Sequence, residues 1–161
     1  MTAADIQLRY GDISIGAEVP RLEYRVTATT VVLGALASRD WRPMHHDHHF
    51  AVQRNGTRDI FMNTPNQAAW FERYLTDWTG PRGRLGRLAF RMISPVYPDT
   101  TMVLRAVVTA TEVDHTGCGW AVLELGLSTD GELSTRGNAR IAVPRDASDN
   151  PWRRTGRRWN P

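Results

Sequence analysis

Thr64 to Pro81 reads TPNQAAWFERYLTDWTGP, and this stretch decides the fold. Thr64, Pro65 and Gln67 fit a capping box, with Thr64 as N-cap, Pro65 at the first helical position and Gln67 at the third. Trp70, Phe71, Tyr74, Leu75 and Trp78 then recur at one-and-four spacing, which lays a broad aromatic stripe along a helix. Thr79-Gly80-Pro81 stops it, since glycine is favoured just past a helix end. A helix of about 15 residues is about 22 Å long. Its stripe needs a large apolar partner, and a sheet wrapped around the helix supplies one.

The flanking sequence provides that sheet. Downstream, Leu88 to Ser94 reads as a strand interrupted by Pro95-Val96-Tyr97-Pro98-Asp99. Thr101 to Val113, Trp120 to Ser128 and Glu132 to Val143 read as further strands. Asp114 to Gly119 and Thr129-Asp130-Gly131 are the turns between them. Upstream, Leu22 to Thr27 alternates like a strand. Thr29 to Ala37 is a short apolar run compatible with helix or strand, and helix is the reading adopted. Ser38 to Gly56 is a polar, His-rich loop with one helical turn around Phe50 to Gln53. The expectation is an α+β domain, an antiparallel sheet curled around one central helix. It spans residues 22–143, after an N-terminal extension (1–21) and before a basic, solvated C-terminal tail (144–161).

Whole-chain properties narrow the function classes. At 161 residues and 41% apolar, the chain suits one domain. No 18-residue apolar run exists, and the first residues lack the apolar core of a secretory signal. The single cysteine, Cys118, excludes an internal disulfide framework and suits a reducing cytoplasm, the expected location. All 20 basic residues are arginine, and the net charge is +3. Several lie late, from Arg145 through Arg153, Arg154, Arg157 and Arg158. No helix-turn-helix, zinc-finger or RNA-binding signature accompanies them, so nucleic acid is not the expected partner.

The residues that promise chemistry lie in the loop Asp40 to Ala51, DWRPMHHDHHFA. Asp40 precedes His45 by five residues, with Pro43 between them restricting the backbone of Arg42. A carboxylate and an imidazole on one stiff loop form a candidate acid/base pair that can share a water molecule. The run His45-His46-Asp47-His48-His49 also invites a metal reading. Consecutive loop residues point in different directions, however, and metal sites usually draw on distant segments. No metal and no cofactor are therefore expected. His46, His48, His49 and His115 read as polar loop residues.

This loop resembles the motif of the MaoC-like, or (R)-specific, enoyl-CoA hydratases: Asp-x-Asn-Pro-aliphatic-His, then five residues, then Ala or Ser. Asp40, Pro43, Met44, His45 and Ala51 fall on it. Arg39 stands where the family usually has glycine, and Arg42 where it has asparagine. Asp59 to Thr64 (DIFMNT) resembles the family's entry to the central helix. Pro95 to Thr100 (PVYPDT) resembles its Pro-Val-x-Pro-Gly-Asp-Thr interruption without the glycine. Within the family, the segments around Asp40 and Asp59 and the helix end Arg73 to Pro81 are similar to the small subunits of actinobacterial steroid side-chain hydratases.

The resemblance implies a hot-dog fold and hydration of an α,β-unsaturated acyl-CoA, with a steroid side-chain CoA thioester as substrate. Asp40 and His45 would be catalytic, and the backbone N–H groups of Asn63 and Thr64 would stabilise the enolate oxygen. Arg42, Trp70 and Tyr74 would contact substrate, with Phe71, Leu75 and Trp78 in the core. A lone hot-dog sheet leaves an edge and much of its pocket uncovered, so at least a dimer is expected. The subgroup favours a second MaoC-like chain, with a homodimer as the alternative. An acyl-CoA thioesterase and a non-catalytic scaffolding subunit remain the competing functions on this fold.

Overall fold

The structure, a computed structural model, describes residues 7–161. Residues 1–6, the start of the expected extension, lie outside the described residues. The elements in chain order are β1 (Glu18–Arg25), α1 (Ala28–Ala37), α2 (His48–Gln53), α3 (Thr64–Thr79), β2 (Arg84–Met92), β3 (Thr101–Val113), β4 (Gly119–Thr129) and β5 (Glu132–Val143). The strands form one five-stranded sheet in the order β1-β3-β4-β5-β2, antiparallel throughout. This sheet holds α3 against its inner face, which is the hot-dog arrangement.

Period-two alternation builds that inner face. Met102, Leu104, Ala106 and Val108 on β3, Leu123, Leu125 and Leu127 on β4, and Ala139 and Ile141 on β5 are buried with Phe71 and Leu75 of α3. The rings of Phe71 and Phe90 lie 5.5 Å apart. Each large apolar side chain buried here stabilises the fold by about 1.5–3 kcal/mol. The β4–β5 hairpin turns through Asp130 and Gly131, both at positive φ (51° and 89°), which suits the right-handed twist of the strands.

Several expectations need correcting. β1 begins at Glu18, inside the segment assigned to the extension, and β2 begins at Arg84 rather than Leu88. The apolar run is a helix as expected, Ala28–Ala37, capped by Thr27, whose hydroxyl accepts the Thr30 amide at 3.1 Å. The N-cap of α3 is Asn63, not Thr64: the Asn63 side chain accepts the Asn66 amide at 3.2 Å. Gln67 therefore takes no part in a capping box. Its side chain is buried and accepts a hydrogen bond from Thr135 at 2.7 Å.

The C-terminal segment is also not a free, solvated tail. Its 3-10 turns at Pro151–Arg153 and Gly156–Arg158 lie on the outer face of the sheet. The Arg84 guanidinium sits 3.6 Å from the Trp159 ring and 5.4 Å from the Trp152 ring. Trp159 packs on Trp120 at 5.0 Å. Arg154 donates to the carbonyls of Thr116 and Gly117 and to Asp149. Cation–π contact from Arg84 of β2 to Trp152 and Trp159, and the carbonyl pairing of Arg154, hold the segment to the sheet. Among the described residues, no helix is long and apolar enough to cross a membrane.

Candidate active site

Close contact between two helices assembles the site. A Cβ at Gly34 of α1 would overlap the side-chain amide of Asn66 on α3, so only glycine allows this approach. Asn66 ties the helices together by donating to the Thr30 carbonyl at 3.1 Å. α1 then ends abruptly. The Ser38 hydroxyl donates to the Gly34 carbonyl at 2.7 Å, Arg39 turns into the left-handed region at φ 53°, and the Asp40 amide reaches back to the Ala35 carbonyl. The position where the family usually has glycine is therefore one whose backbone favours glycine, and Arg39 bears strain of about 1–2 kcal/mol there. Asp99, beside the missing glycine of the second motif, is likewise left-handed at φ 62°.

Asp40 projects from this turn toward the start of α3. Its Oδ2 accepts from Asn63 Nδ2 at 3.1 Å and from Arg42 Nη2 at 2.9 Å. Its Oδ1 accepts from Arg42 Nε at 2.9 Å and from the Arg42 amide at 3.3 Å. The Arg42 fork holds the carboxyl well below the usual carboxylate range. Partial burial opposes that shift, and the Asn63 amide adds to it.

His45 ends a 3-10 turn, Pro43–His45, and is buried. Its Nδ1 lies 2.8 Å from the Phe61 carbonyl, an acceptor, so in the neutral ring Nδ1 carries the proton and Nε2 carries the lone pair. Nε2 lies 3.5 Å from Asp40 Oδ2 and has no hydrogen-bond partner among the described residues. Both atoms are acceptors in this state, so one water molecule can donate to each. An apolar recess of about 200 Å³ is lined by Phe61, Met62, Met92, Ile93, Ser94 and Pro95, and Phe61 is the residue that meets His45.

The structure brings Asp40, His45, Arg42 and Asn63 together, with Thr64 opening the helix beside them. It keeps Trp70 and Tyr74 apart from the pair. Tyr74 is a buried core residue that donates to the Val19 carbonyl at 3.1 Å, and burial pushes its hydroxyl up to about 12. It sits about 15 Å along the axis from the start of α3. Trp70 packs on Tyr24 at 4.4 Å and under Arg73 at 5.1 Å. The side chain of Asn63 was missed by the sequence reading, which assigned only its amide. It donates to both Asp40 and Ser38, 2.8 Å away, while capping α3. The available signal was an asparagine directly before Thr-Pro at a helix start. The remaining histidines do not join the site: His48 lies 3.8 Å from Asp59. Among the described residues, no three of His, Cys, Asp or Glu stand together as metal ligands would.

A family model for the MaoC-like domain matches residues 13–123. A Mycobacterium tuberculosis protein, the 3-oxo-4,17-pregnadiene-20-carboxyl-CoA hydratase beta subunit, is 36% identical over 96 residues, 60% of this chain and 74% of that one. A chain of the ChsH1–ChsH2 complex from M. tuberculosis superposes with a TM-score of 0.75 at 28% identity, covering 81% of this chain and 98% of that one. The R-hydratase PhaJ1 from Pseudomonas aeruginosa shares the fold, with a TM-score of 0.77 at 15% identity over 87% of this chain and 88% of that one. With the motif loop, the capped helix and the matched span all in one domain, this chain belongs to the MaoC-like domain family.

Proposed function

We propose that the chain is a subunit of an enoyl-CoA hydratase, adding water across the double bond of an α,β-unsaturated acyl-CoA. The carrying observation is a pair of acceptors, Asp40 Oδ2 and the buried His45 Nε2, 3.5 Å apart at the start of α3. Substrate water donates one hydrogen to each. Its oxygen attacks C3 of the enoyl thioester while Asp40 takes a proton, and the electron pair of the double bond moves onto the thioester oxygen. The N–H groups of Asn63 and Thr64 stabilise that enolate, since the first amides of a helix have no partner within it. His45 Nε2 holds the attacking water, and the proton that Asp40 took is handed on through Nε2 to C2, which returns both side chains to their starting states. The enolate collapses, and the net change is one water added to give a β-hydroxyacyl-CoA. No cofactor enters the reaction.

The 36% identical hydratase subunit supports a steroid side-chain CoA thioester as substrate. The likeness to a chain of the ChsH1–ChsH2 complex supports a second MaoC-like chain as partner. The recess beside His45, about 200 Å³, is also smaller than most ligand pockets, so a second chain would add the missing wall.

The test is a hydration assay on the full chain, alone and with the second MaoC-like chain, using short-chain, long-chain and steroid enoyl-CoAs. Loss of enoyl absorbance without thiol release is expected. Asp40→Asn and His45→Ala should each slow it by about 10²–10⁴-fold. Rates unchanged in both variants would move the chemistry to the partner chain, and thiol release would make the chain a thioesterase.

A further inference from the structure

We propose that Arg42 is a displaceable latch on the hydration site: its guanidinium covers Asp40 from the solvent side and must swing away before Asp40 can accept a proton from water. This inference rests on the hydratase reading given above. His45 and Asn63 approach Asp40 from the interior, with the His45 side chain 3% exposed and Asn63 1% exposed. The Asp40 side chain is itself only 10% exposed, whereas that of Arg42 is 63% exposed. Arg42 is therefore the outward partner. Its fork occupies both carboxylate oxygens, through Nε to Oδ1 and Nη2 to Oδ2, each at 2.9 Å.

A carboxylate held in that fork is a poor base, because protonating it means giving up charge-assisted bonds to a cation. The held state is also easy to leave. Among the described residues, the Arg42 side chain hydrogen-bonds only to Asp40. The guanidinium is exposed to solvent, so salt screens the pair and water can replace its bonds. Opening removes the guanidinium and leaves Asn63 and His45 in place, so the carboxylate stays oriented toward the reacting water. The charged or titratable groups facing Asp40 are Arg42 from its own loop and His45 from the following 3-10 turn. The α3 side contributes the neutral Asn63 amide.

The experiment compares wild type, Arg42→Gln and Arg42→Lys in the full chain, alone and with the second MaoC-like chain, with Asp40→Asn as control. Arg42→Gln removes the charge and the fork. At low ionic strength it should raise kcat/KM by about two- to fivefold, the range an exposed ion pair can hold closed. Raising salt should speed wild type by a similar factor and leave Arg42→Gln flat. Arg42→Lys, with charge but no fork, should fall between them. The acid limb of the kcat/KM profile should move to higher pH in Arg42→Gln, because the carboxyl loses the cation that depresses it. A lower kcat/KM in Arg42→Gln with salt dependence retained would make Arg42 a substrate contact and overturn the latch. An unchanged rate, salt response and acid limb would overturn it too. If wild type is active and Arg42→Gln behaves in either of these ways, only the latch fails. If wild type hydrates nothing and matches Asp40→Asn, the hydratase reading fails and takes the latch with it.

Discussion

Asp40 and Asp114 are both held below the ordinary carboxylate range, and they differ in what surrounds them. Asp114 sits in the β3–β4 turn. Burial alone would raise it, but it accepts from the Thr116 amide and hydroxyl, the Cys118 amide and Trp120 Nε1, and these donors outweigh burial. Those donors belong to the turn and to β4, so that cluster is closed. Asp40 instead draws on an exposed guanidinium and stands beside an imidazole nitrogen that has no hydrogen-bond partner among the described residues. A depressed carboxyl by itself therefore marks structure as readily as chemistry. The site is distinguished by its spare acceptor and its removable donor.

Breaking each carboxylate separately should give opposite results. Asp40→Ala should slow hydration by about 10²–10⁴-fold, measured at saturating substrate, with a melting temperature within a few degrees of wild type. Asp114→Ala should do the reverse. It strands buried donors, so denaturant melts should show a loss of about 2–4 kcal/mol while activity per folded molecule is kept. Trp120→Phe sharpens the contrast by removing a single donor from Asp114, with an expected cost of about 1–3 kcal/mol in the same melts.

Acid titration tests the shared property. Each carboxyl has a lower pKa folded than unfolded, so its stabilisation is complete above the ordinary carboxylate range. It is lost as pH falls through the ordinary value toward the folded one. Asp114→Asn should therefore flatten the acid limb of stability against pH. The smallest expected effect is Arg39→Gly, which relieves the left-handed strain beside Asp40 and should raise stability by about 1 kcal/mol.

How far the sequence revealed the molecule follows from the range of the interactions involved. Local periodicity carried the long helix and β3 to β5, because alternation and one-and-four spacing are written into neighbouring residues. The cap slipped by one residue because Asn63 and Thr64 are both good N-caps, and only the tertiary contact to Ser38 and Asp40 selects Asn63. The docked C-terminus was not legible. Arg84 of β2 meets Trp152 and Trp159 across nearly half the chain, and spacing along the sequence does not show which arginine a distant tryptophan will stack on. Asp40 and His45 were readable because they share one short loop. The Asp40–Arg42 fork depends on side-chain rotamers that spacing does not encode.

The narrow passage between α1 and α3 at Gly34 has an effect beyond packing. Adding one methyl group there would wedge the helices apart and carry Ser38 and Asp40 away from Asn63, although Gly34 touches no reacting atom. A saturation screen scored by turnover would flag Gly34 as intolerant, and a contact map around the substrate would leave it unexplained. The spacing of the two helix backbones thus sets the aim of the carboxylate, a mechanical dependence that would make Gly34 a remote off-switch for the enzyme.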